Sequence, residues 1–164
     1  MKMFGLFRNK KKAGEEVVAP ATGMLMPLDD VTDDVFSQKM MGDGFAIDPE
    51  ENEVVAPVSG TISTVFPTKH AIGITTPGGL DVLVHMGLDT VELEGKPFVV
   101  SVDLNDTVTA GEALATIDRD EIKAKGYDDT IVVIYTNMDK LKNFPTVVQS
   151  HVVQGHQVGE LVYS

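Results

Sequence analysis

The feature that most constrains the fold is a seven-residue string that occurs twice. Residues 17–23 read V-V-A-P-A-T-G, and residues 54–60, 37 positions later, read V-V-A-P-V-S-G. Each copy combines β-branched residues, a proline that cannot donate to a sheet ladder, and a glycine that permits a tight turn. Each copy therefore predicts a strand, a break and a second strand. Two such copies predict an internally duplicated all-β fold with pseudo-two-fold symmetry.

A second, shorter repeat lies in the C-terminal half. Residues 111–114 read G-E-A-L, and residues 159–162, 48 positions later, read G-E-L-V. A glycine followed by apolar residues predicts a turn that leads into a strand. The two repeats together indicate two kinds of unit, each present twice.

The rest of the chain predicts many short strands and little helix. Asp118 and Gly126 are suited to cap one helix over residues 118–125, and Asp33 and Asp34 favour the start of a helical turn. Strands are predicted at residues 61–66, 70–75, 80–85, 98–102, 113–117, 130–135, 146–153 and 160–163. Because the connections are too short for crossover helices, we expect antiparallel pairing. The predicted fold class is all-β: an antiparallel β-sandwich or flattened barrel with a few short helical turns.

Composition excludes several functions. No cysteine is present, which excludes disulfides, thiol catalysis and cysteine zinc sites and fits a reducing compartment. No apolar run reaches the roughly 18 residues that a membrane-spanning helix needs. Residues 1–12 hold five basic and no acidic side chains, whereas the remainder holds 8 basic and 25 acidic ones. Such an acidic body repels nucleic acid phosphates, so nucleic-acid binding is not expected.

The charge distribution predicts a flexible basic tail over residues 1–16 and one folded domain over residues 17–164. Two interpretations of the tail remain open. It is either a disordered solubilising segment, or a short amphipathic segment that makes weak contact with anionic lipid. The predicted location is the cytoplasm, and the second interpretation adds a peripheral position at the inner face of the membrane.

Two of the four histidines lie at the ends of predicted strands. If residues 76–79 form a four-residue loop, Thr75 faces Leu80, and His70 then lies directly opposite His85 on the same sheet face. Directly opposed Cβ atoms are roughly 4.5–5.5 Å apart. A two-residue loop would shift the register and lose this pairing. The sequence therefore predicts, on condition of the turn, that the two histidines form one site.

Paired histidines are compatible with three kinds of chemistry. Zinc accepts imidazole nitrogen, but a third ligand would have to come from Asp89, from elsewhere in the chain or from a partner. Acid–base hydrolysis lacks a serine in an elbow motif and a glutamate in a metalloprotease spacing. Covalent phosphoryl carriage needs one nucleophilic imidazole and one hydrogen-bonding neighbour, and no metal. A histidine at a strand end can also be a partly buried structural residue, and the residues alone leave these alternatives open.

Four motifs resemble one known family. Residues 84–93, V-H-M-G-L-D-T-V-E-L, resemble the V-H-[FIM]-G-[IL]-D-T-V-x-L signature of the glucose-type enzyme IIA proteins of the bacterial sugar phosphotransferase system. Residues 55–62, 68–72 and 42–47 resemble that family's A-P-x-x-G-x-[IV], T-x-H-A and G-D-G-[IVF]-A-I strings. The resemblance runs from about residue 17 to residue 162. It implies a β-sandwich built from a duplicated hybrid motif.

The resemblance also implies a site and its partners. His85 would be phosphorylated on Nε2, His70 would hydrogen-bond the phosphoryl group, and Thr68 would orient the His70 ring. The phosphoryl donor would be the histidine-containing phosphocarrier protein, and the acceptor a cysteine on the IIB domain of a glucose-type sugar permease. The chain would thus be a phosphotransferase component that requires no cofactor.

Docking residues follow from the same resemblance. Apolar residues around the histidines would contact both partners, and two rim acids would pair with an arginine of the donor. The apolar set is Val35, Phe36, Ile47, Phe66, Leu83 and Val91, and the acids are Asp33 and Asp89. Asp34 departs from the family, which more often has an apolar residue there.

Two alternatives come from other classes. The first is a regulatory protein that inhibits permeases or kinases when unphosphorylated, with a zinc ion that bridges His70 and His85 to a partner's carboxylate. The second is a carrier domain of the lipoyl or biotinyl type. That class needs a lysine in an M-K-M-type hairpin tip, and the single M-K-M string lies at residues 1–3.

Overall fold

A computed structural model describes residues 15–164. These residues form fourteen β-strands, two short α-helices and three 3-10 turns. The strands are β1 (Glu15–Val18), β2 (Gly23–Pro27), β3 (Asp43–Pro49), β4 (Glu53–Val55), β5 (Gly60–Val65), β6 (Ala71–Thr75), β7 (Asp81–Leu88), β8 (Phe98–Val100), β9 (Thr107–Val108), β10 (Ala113–Ile117), β11 (Asp128–Tyr135), β12 (Leu141–Asn143), β13 (Ser150–Val152) and β14 (Gln157–Tyr163). The helices are α1 (Asp34–Ser37) and α2 (Arg119–Ala124), and the 3-10 turns are Leu28–Asp30, Thr90–Leu93 and Met138–Lys140.

The strands form one large and two small antiparallel sheets. The large sheet has the order β13-β2-β3-β11-β7-β6-β5-β9, and the small sheets have the orders β1-β14-β12 and β4-β10-β8. One apolar core joins residues from all three sheets, among them Val17, Val54, Ile74 and Leu114. The predicted all-β antiparallel sandwich is therefore confirmed.

The duplicated string is visible as a pseudo-two-fold relation. Val18 N donates to Pro57 O at 2.8 Å, and Val55 N donates to Pro20 O at the same distance, so the two copies contact each other reciprocally. The glycine that ends each copy has the same role. A Cβ on Gly23 would lie 2.0 Å from the carbonyl oxygen of the neighbouring strand, and one on Gly60 would lie 2.2 Å from its counterpart. Only glycine allows so close an approach.

The second predicted repeat is wrong in its register. Gly111 N donates to Ala56 O at 2.8 Å, and the equivalent bond in the other half runs from Gly155 N to Ala19 O at 2.9 Å. Gly155, and not Gly159, is therefore the counterpart of Gly111. Both turn glycines have positive φ, 93° and 84°, whereas Gly159 lies inside β14. The shared G-E letters lie in a turn before β10 in one half and inside β14 in the other, so the turn conformation fixes the correspondence.

Two residues of the predicted tail lie in a strand. Glu15 and Glu16 belong to β1, where they pair with Leu161 and Glu160. The remainder of the predicted tail, residues 1–14, lies outside the described residues. Within residues 15–164 no helix has the length and apolar character to cross a bilayer.

The two predicted helices are present. In α2 the side chain of Asp118 accepts a hydrogen bond from Glu121 N at 3.1 Å, and Gly126 follows the helix at φ 88°. In α1 Asp33 is the N-cap. The predicted strand at residues 146–153 is reduced to the three residues of β13.

The large sheet carries a second apolar cluster on the face opposite the core. This cluster includes Phe36 from α1, and its strand residues point away from the core because side chains alternate between faces. Its members are Leu28, Val31, Phe36, Ala46, Leu88, Val132 and Ile134, with Met26 and Leu83 packed against them. We call this surface the outer sheet face, and both predicted site histidines lie on it.

Candidate functional site

The hairpin β6–β7 places the two histidines, in a register that differs from the prediction. Thr75 pairs with Asp81 and Ala71 pairs with His85. The loop therefore has five residues, 76–80, and the predicted direct opposition of His70 and His85 is wrong. A hydrogen bond from Thr76 N to Leu80 O at 2.9 Å closes this five-residue loop.

The two imidazole rings nevertheless meet. Their centroids are 5.0 Å apart at an interplanar angle of 77°. His70 precedes β6 and follows Lys69, whose φ is 61°, so its side chain is not bound by strand alternation. Ala71, the residue that does pair with His85, has a small and fully buried side chain. The predicted two-histidine cluster is thus present, reached by a different backbone path.

His70 is held by a hydroxyl and an aromatic ring. Thr68 Oγ1 lies 2.7 Å from His70 Nδ1, and the hydroxyl can donate to or accept from this nitrogen. The Phe66 ring contacts the imidazole edge-on, with centroids 5.3 Å apart. His70 is only 6% exposed. The predicted contact between Thr68 and His70 is present, while its chemical role stays a prediction.

His85 has a defined tautomer. Its Nδ1 lies 2.7 Å from Gly87 O, and a carbonyl oxygen only accepts hydrogen bonds, so Nδ1 carries the proton. The neutral ring therefore keeps its lone pair on Nε2. The Phe36 ring contacts this imidazole edge-on, with centroids 5.1 Å apart. The role of Gly87 was not predicted, and its only signal in the sequence is a glycine two residues after His85.

Burial favours the neutral form of both imidazoles. It lowers the pKa of His70, and it is also the main cause of the lowered pKa of His85. The bond to Gly87 O and the charges of Asp33 and Asp89 raise the pKa of His85, and nearby His70 lowers it further, but burial prevails. A neutral imidazole with an unprotonated Nε2 is a nucleophile.

The predicted apolar docking residues are unequally accessible. Val35 and Val91 are 43% and 44% exposed, and Phe66 and Leu83 are partly exposed. Phe36 is 5% exposed, so it packs beneath His85 rather than presenting a surface.

Ile47 is not on this surface, and its predicted docking role is wrong. It is 0% exposed and belongs to the core between the sheets. Its neighbour Ala46 lies on the outer sheet face, where it pairs with Val132, which in turn pairs with His85. The shift of one residue moves a side chain to the other face of a strand.

The predicted rim acids lie next to the histidine site. Asp33 and Asp89 line one small pocket together with Asp128 and Tyr127. One oxygen of Asp33 accepts a bond from Val35 N at 2.9 Å and so caps α1. Asp89 has a left-handed backbone, φ 60° and ψ 15°.

A metal site formed by this chain alone does not fit the described residues. Residues 15–164 contain no group of three or more His, Asp or Glu side chains placed to hold one ion. The histidine pair supplies two ligands, whereas zinc normally takes four.

Fold and site together define an antiparallel β-sandwich whose outer sheet face presents two neutral, oriented histidines. The model of the family described as phosphoenolpyruvate-dependent sugar phosphotransferase system, EIIA 1, matches residues 15–141. The chain belongs to this family, which confirms the resemblance seen in its motifs.

Individual relatives agree with this assignment. A glucose-specific EIICBA component of Streptococcus pneumoniae is 54% identical over 133 residues, which cover 81% of this chain and 18% of that protein. A glucose-specific EIIA component of Halalkalibacterium halodurans is 47% identical over 148 residues, covering 87% of this chain and 86% of that protein. The solved glucose permease IIA from Mycoplasma capricolum is 41% identical with a TM-score of 0.77, covering 88% of this chain and 93% of that one.

Proposed function

We propose that this chain is a phosphoryl carrier of the sugar phosphotransferase system, with the phosphoryl group on Nε2 of His85. The observation that carries the proposal is the bond from His85 Nδ1 to Gly87 O. It leaves Nε2 unprotonated, beside a second imidazole whose centroid is 5.0 Å away. The donor is the histidine-containing phosphocarrier protein, and the acceptor is a cysteine on the IIB domain of a sugar permease.

The transfer requires two successive nucleophilic displacements at the phosphorus atom. In the first, Nε2 of His85 attacks the phosphorus of the donor's phosphohistidine; the new P–N bond forms, the donor's P–N bond breaks, and the donor imidazole leaves. In the second, a cysteine thiolate attacks the same phosphorus, a P–S bond forms and the bond to His85 breaks. Because Nδ1–H stays bonded to Gly87 O, the positive charge on the phosphorylated ring is stabilised without proton loss.

His70 is proposed to stabilise the transferred group. An Nε2–H on His70 donates to a phosphoryl oxygen and offsets the charge that develops there. This requires Nδ1 to be the acceptor nitrogen, so the Thr68 hydroxyl donates to it across the observed 2.7 Å. Thr68 thereby selects the tautomer of His70, as Gly87 selects the opposite tautomer of His85.

The outer sheet face is proposed to receive both partners in turn. Val35 and Val91 provide exposed apolar contact, and Asp33 and Asp89 provide acidic rim charge beside it. Rim charge of this kind accelerates encounter more than it tightens binding, which suits a carrier that must release each partner. A groove on the same face continues from this surface and is lined by Ser63, Thr64, Phe66, Gly73, Asp81, Val82, Leu83 and Thr136.

The choice of a permease as acceptor is supported by the relatives. One relative is named a glucose-specific EIICBA component and another, from Bacillus subtilis, a β-glucoside-specific EIIBCA component. The matched region covers 18% and 22% of those proteins, so it is one part of a longer chain there. We extend this association to the present chain as transfer to the IIB domain of a sugar permease in the cytoplasm. The basic residues of 1–12 would add weak contact with anionic lipid.

A regulatory role would use the same surface. The unphosphorylated outer sheet face would bind a permease or kinase, and a zinc ion would take one nitrogen from His70 and one from His85, with the remaining ligands from the partner. Titration of the isolated protein with zinc is expected to show weak binding, and a partner carboxylate is expected to tighten it.

The proposal is tested by phosphorylation with phosphoenolpyruvate, enzyme I and the phosphocarrier protein, followed by intact mass measurement. We expect the gain of one phosphoryl group, lost on mild acid treatment. His85→Ala should abolish the gain, and His151→Ala, at a half-exposed histidine on β13, should not change it. Retention of the label in His85→Ala would overturn the assignment.

A further inference from the structure

The turn that follows His85 contains a buried threonine with no role assigned so far. Strand β7 continues through His85 to Leu88, and the chain then turns at Asp89 into the 3-10 turn Thr90–Leu93. Thr90 is 0% exposed, although it lies at the surface end of a strand. A buried hydroxyl must be hydrogen-bonded, so its partner shows what it holds in place.

Thr90 holds the Met86–Gly87 peptide, which lies next to the Gly87 carbonyl that accepts the hydrogen bond from His85. Its hydroxyl donates to Met86 O at 2.5 Å. The N–H of Met86 donates to His70 O at 2.7 Å. The backbone carbonyl of Met86 is thus fixed by Thr90, and its N–H is fixed by the backbone carbonyl of His70.

Thr90 also limits the freedom of Gly87. Gly87 has φ 85°, a conformation that glycine adopts without penalty and can also leave without penalty. A Cβ placed on Gly87 would lie 2.3 Å from Thr90 Cγ2 and 3.0 Å from Asp128 O. The Thr90 methyl group therefore lies close over the Gly87 backbone. The direction of the Gly87 carbonyl depends on this packing because glycine has no side chain of its own to fix it.

We propose that Thr90 is a positioning residue that keeps Gly87 O on His85 Nδ1 and so fixes the tautomer with an unprotonated Nε2. The hydroxyl anchors the peptide before Gly87, and the methyl group restricts rotation about Gly87 itself. Which imidazole nitrogen carries the proton is set by the bond that the other nitrogen makes. The tautomer claim stands on this geometry alone, and only its consequence for phosphoryl transfer rests on the proposed function.

Two substitutions separate the contributions of Thr90. Thr90→Val keeps the volume and the branched shape but removes the hydroxyl, and Thr90→Ser keeps the hydroxyl but removes the methyl group. Thr76→Val is a matched control, since Thr76 is also buried, at 4% exposed, and hydrogen-bonded. It lies in the loop at the other end of the β6–β7 hairpin. The readouts are the 15N shifts of the His85 ring nitrogens at neutral pH and the rate of phosphorylation.

We expect a pure Nδ1–H tautomer of His85 in the wild type and in Thr76→Val, and a small Nε2–H population in Thr90→Ser, which loses only the methyl group, below that in Thr90→Val. In Thr90→Val the Nε2–H tautomer should become populated, and kcat for phosphoryl acceptance should fall on the order of tenfold to a hundredfold, with KM for the phosphocarrier protein nearly unchanged. A folded Thr90→Val protein that retains a pure Nδ1–H tautomer would overturn the proposal.

A measurement on the wild type covers the case in which Thr90→Val does not fold. The Thr90 hydroxyl proton should be visible by NMR and exchange slowly with water, because it is buried and bonded to Met86 O. Rapid exchange of this proton would also overturn the proposal. If the tautomer changes as expected in Thr90→Val but His85 is never phosphorylated, the positioning role holds and the proposed function fails.

Discussion

The buried ion pair between Arg119 and Asp129 gives a prediction whose size follows from the geometry. Arg119 Nε donates to Asp129 Oδ2 at 2.9 Å, and its Nη1 donates to Glu50 O at 2.8 Å. The Asp129 side chain is 4% exposed, and the second cation near it, Lys123 at 3.6 Å, is 56% exposed. Arg119→Met would therefore leave a buried carboxylate with one solvent-exposed partner.

Removal of one partner of a buried ion pair costs about 3–5 kcal/mol. The remaining Lys123 contact offsets this by up to about 1 kcal/mol, as for an exposed pair. We expect Arg119→Met to lower the free energy of unfolding by about 2–4 kcal/mol. For a domain of this size that corresponds to a fall in Tm of roughly 5–15 °C.

Urea denaturation followed by circular dichroism measures this change. Lys123→Met is the matched control and should cost under about 1 kcal/mol, because its ammonium group is exposed. The double variant Arg119→Met with Asp129→Leu should recover most of the loss, since it leaves no unpaired charge. A single Arg119→Met variant within about 0.5 kcal/mol of the wild type would show that Asp129 gains no net stabilisation from the pair.

Further predictions concern the core, a surface acid and the histidines. Tyr135→Phe should leave stability unchanged or raise it by about 1 kcal/mol in urea denaturation, because within residues 15–164 the buried Tyr135 hydroxyl has no hydrogen-bond partner; a loss above 1 kcal/mol would contradict this. Desolvation and the charges of Asp129 and Asp128 raise the pKa of Asp48, so its ionisation disfavours the folded state. Asp48→Asn should therefore be more stable than the wild type at pH 7, and the gain should vanish near pH 3; an equal gain at both pH values would refute the cause given. Burial lowers the pKa of His70 and His85, so the unfolded chain takes up protons first as the pH falls. Stability should decrease as the pH falls from about 6.5 toward the lowered folded-state pKa values, and His70→Gln should show a shallower decrease; an identical pH dependence would count against it. His70→Gln should also accept the phosphoryl group but pass it on slowly, which single-turnover transfer to a IIB domain will measure; unimpaired transfer would remove the role given to His70.

The two halves of the duplicated fold differ at the positions of the two site histidines. Leu25 and Ile62 occupy equivalent places in the two repeats, and they pair with Ile47 and Ile74. His70 lies four residues before Ile74, and Asp43 lies four residues before Ile47. Asp43 therefore occupies the position equivalent to that of His70. By the same register, Ile134 is the equivalent of His85. The symmetry therefore provides two backbone frames, and only one of them holds imidazoles.

The sequence predicted the duplicated all-β fold better than it predicted which residues pair or correspond. The V-V-A-P string carried a strong signal because proline and glycine impose specific backbone conformations. The G-E repeat had no such constraint apart from its glycine, and Gly155 rather than Gly159 meets the turn requirement. The predicted hairpin register was wrong because the loop has five residues instead of four. Local composition does not determine the length of such a loop.

The site was predictable in its residues but not in its atoms. The motifs singled out His70, His85 and Thr68, and the structure brings them together. Ile47 was misplaced because a shift of one residue exchanges the core face and the outer sheet face. Gly87 acts through its backbone carbonyl oxygen. Every residue has this group, so the residue types in the sequence did not indicate the role of Gly87.

The central claim is that Nε2 of His85 carries the phosphoryl group while Nδ1 keeps its proton on Gly87 O. It is tested most directly by 15N and 31P NMR of the phosphorylated protein labelled at its histidine rings. We predict phosphorus coupling to Nε2 of His85 and a proton retained on Nδ1. Coupling to Nδ1 of His85, or to either nitrogen of His70, would contradict the account.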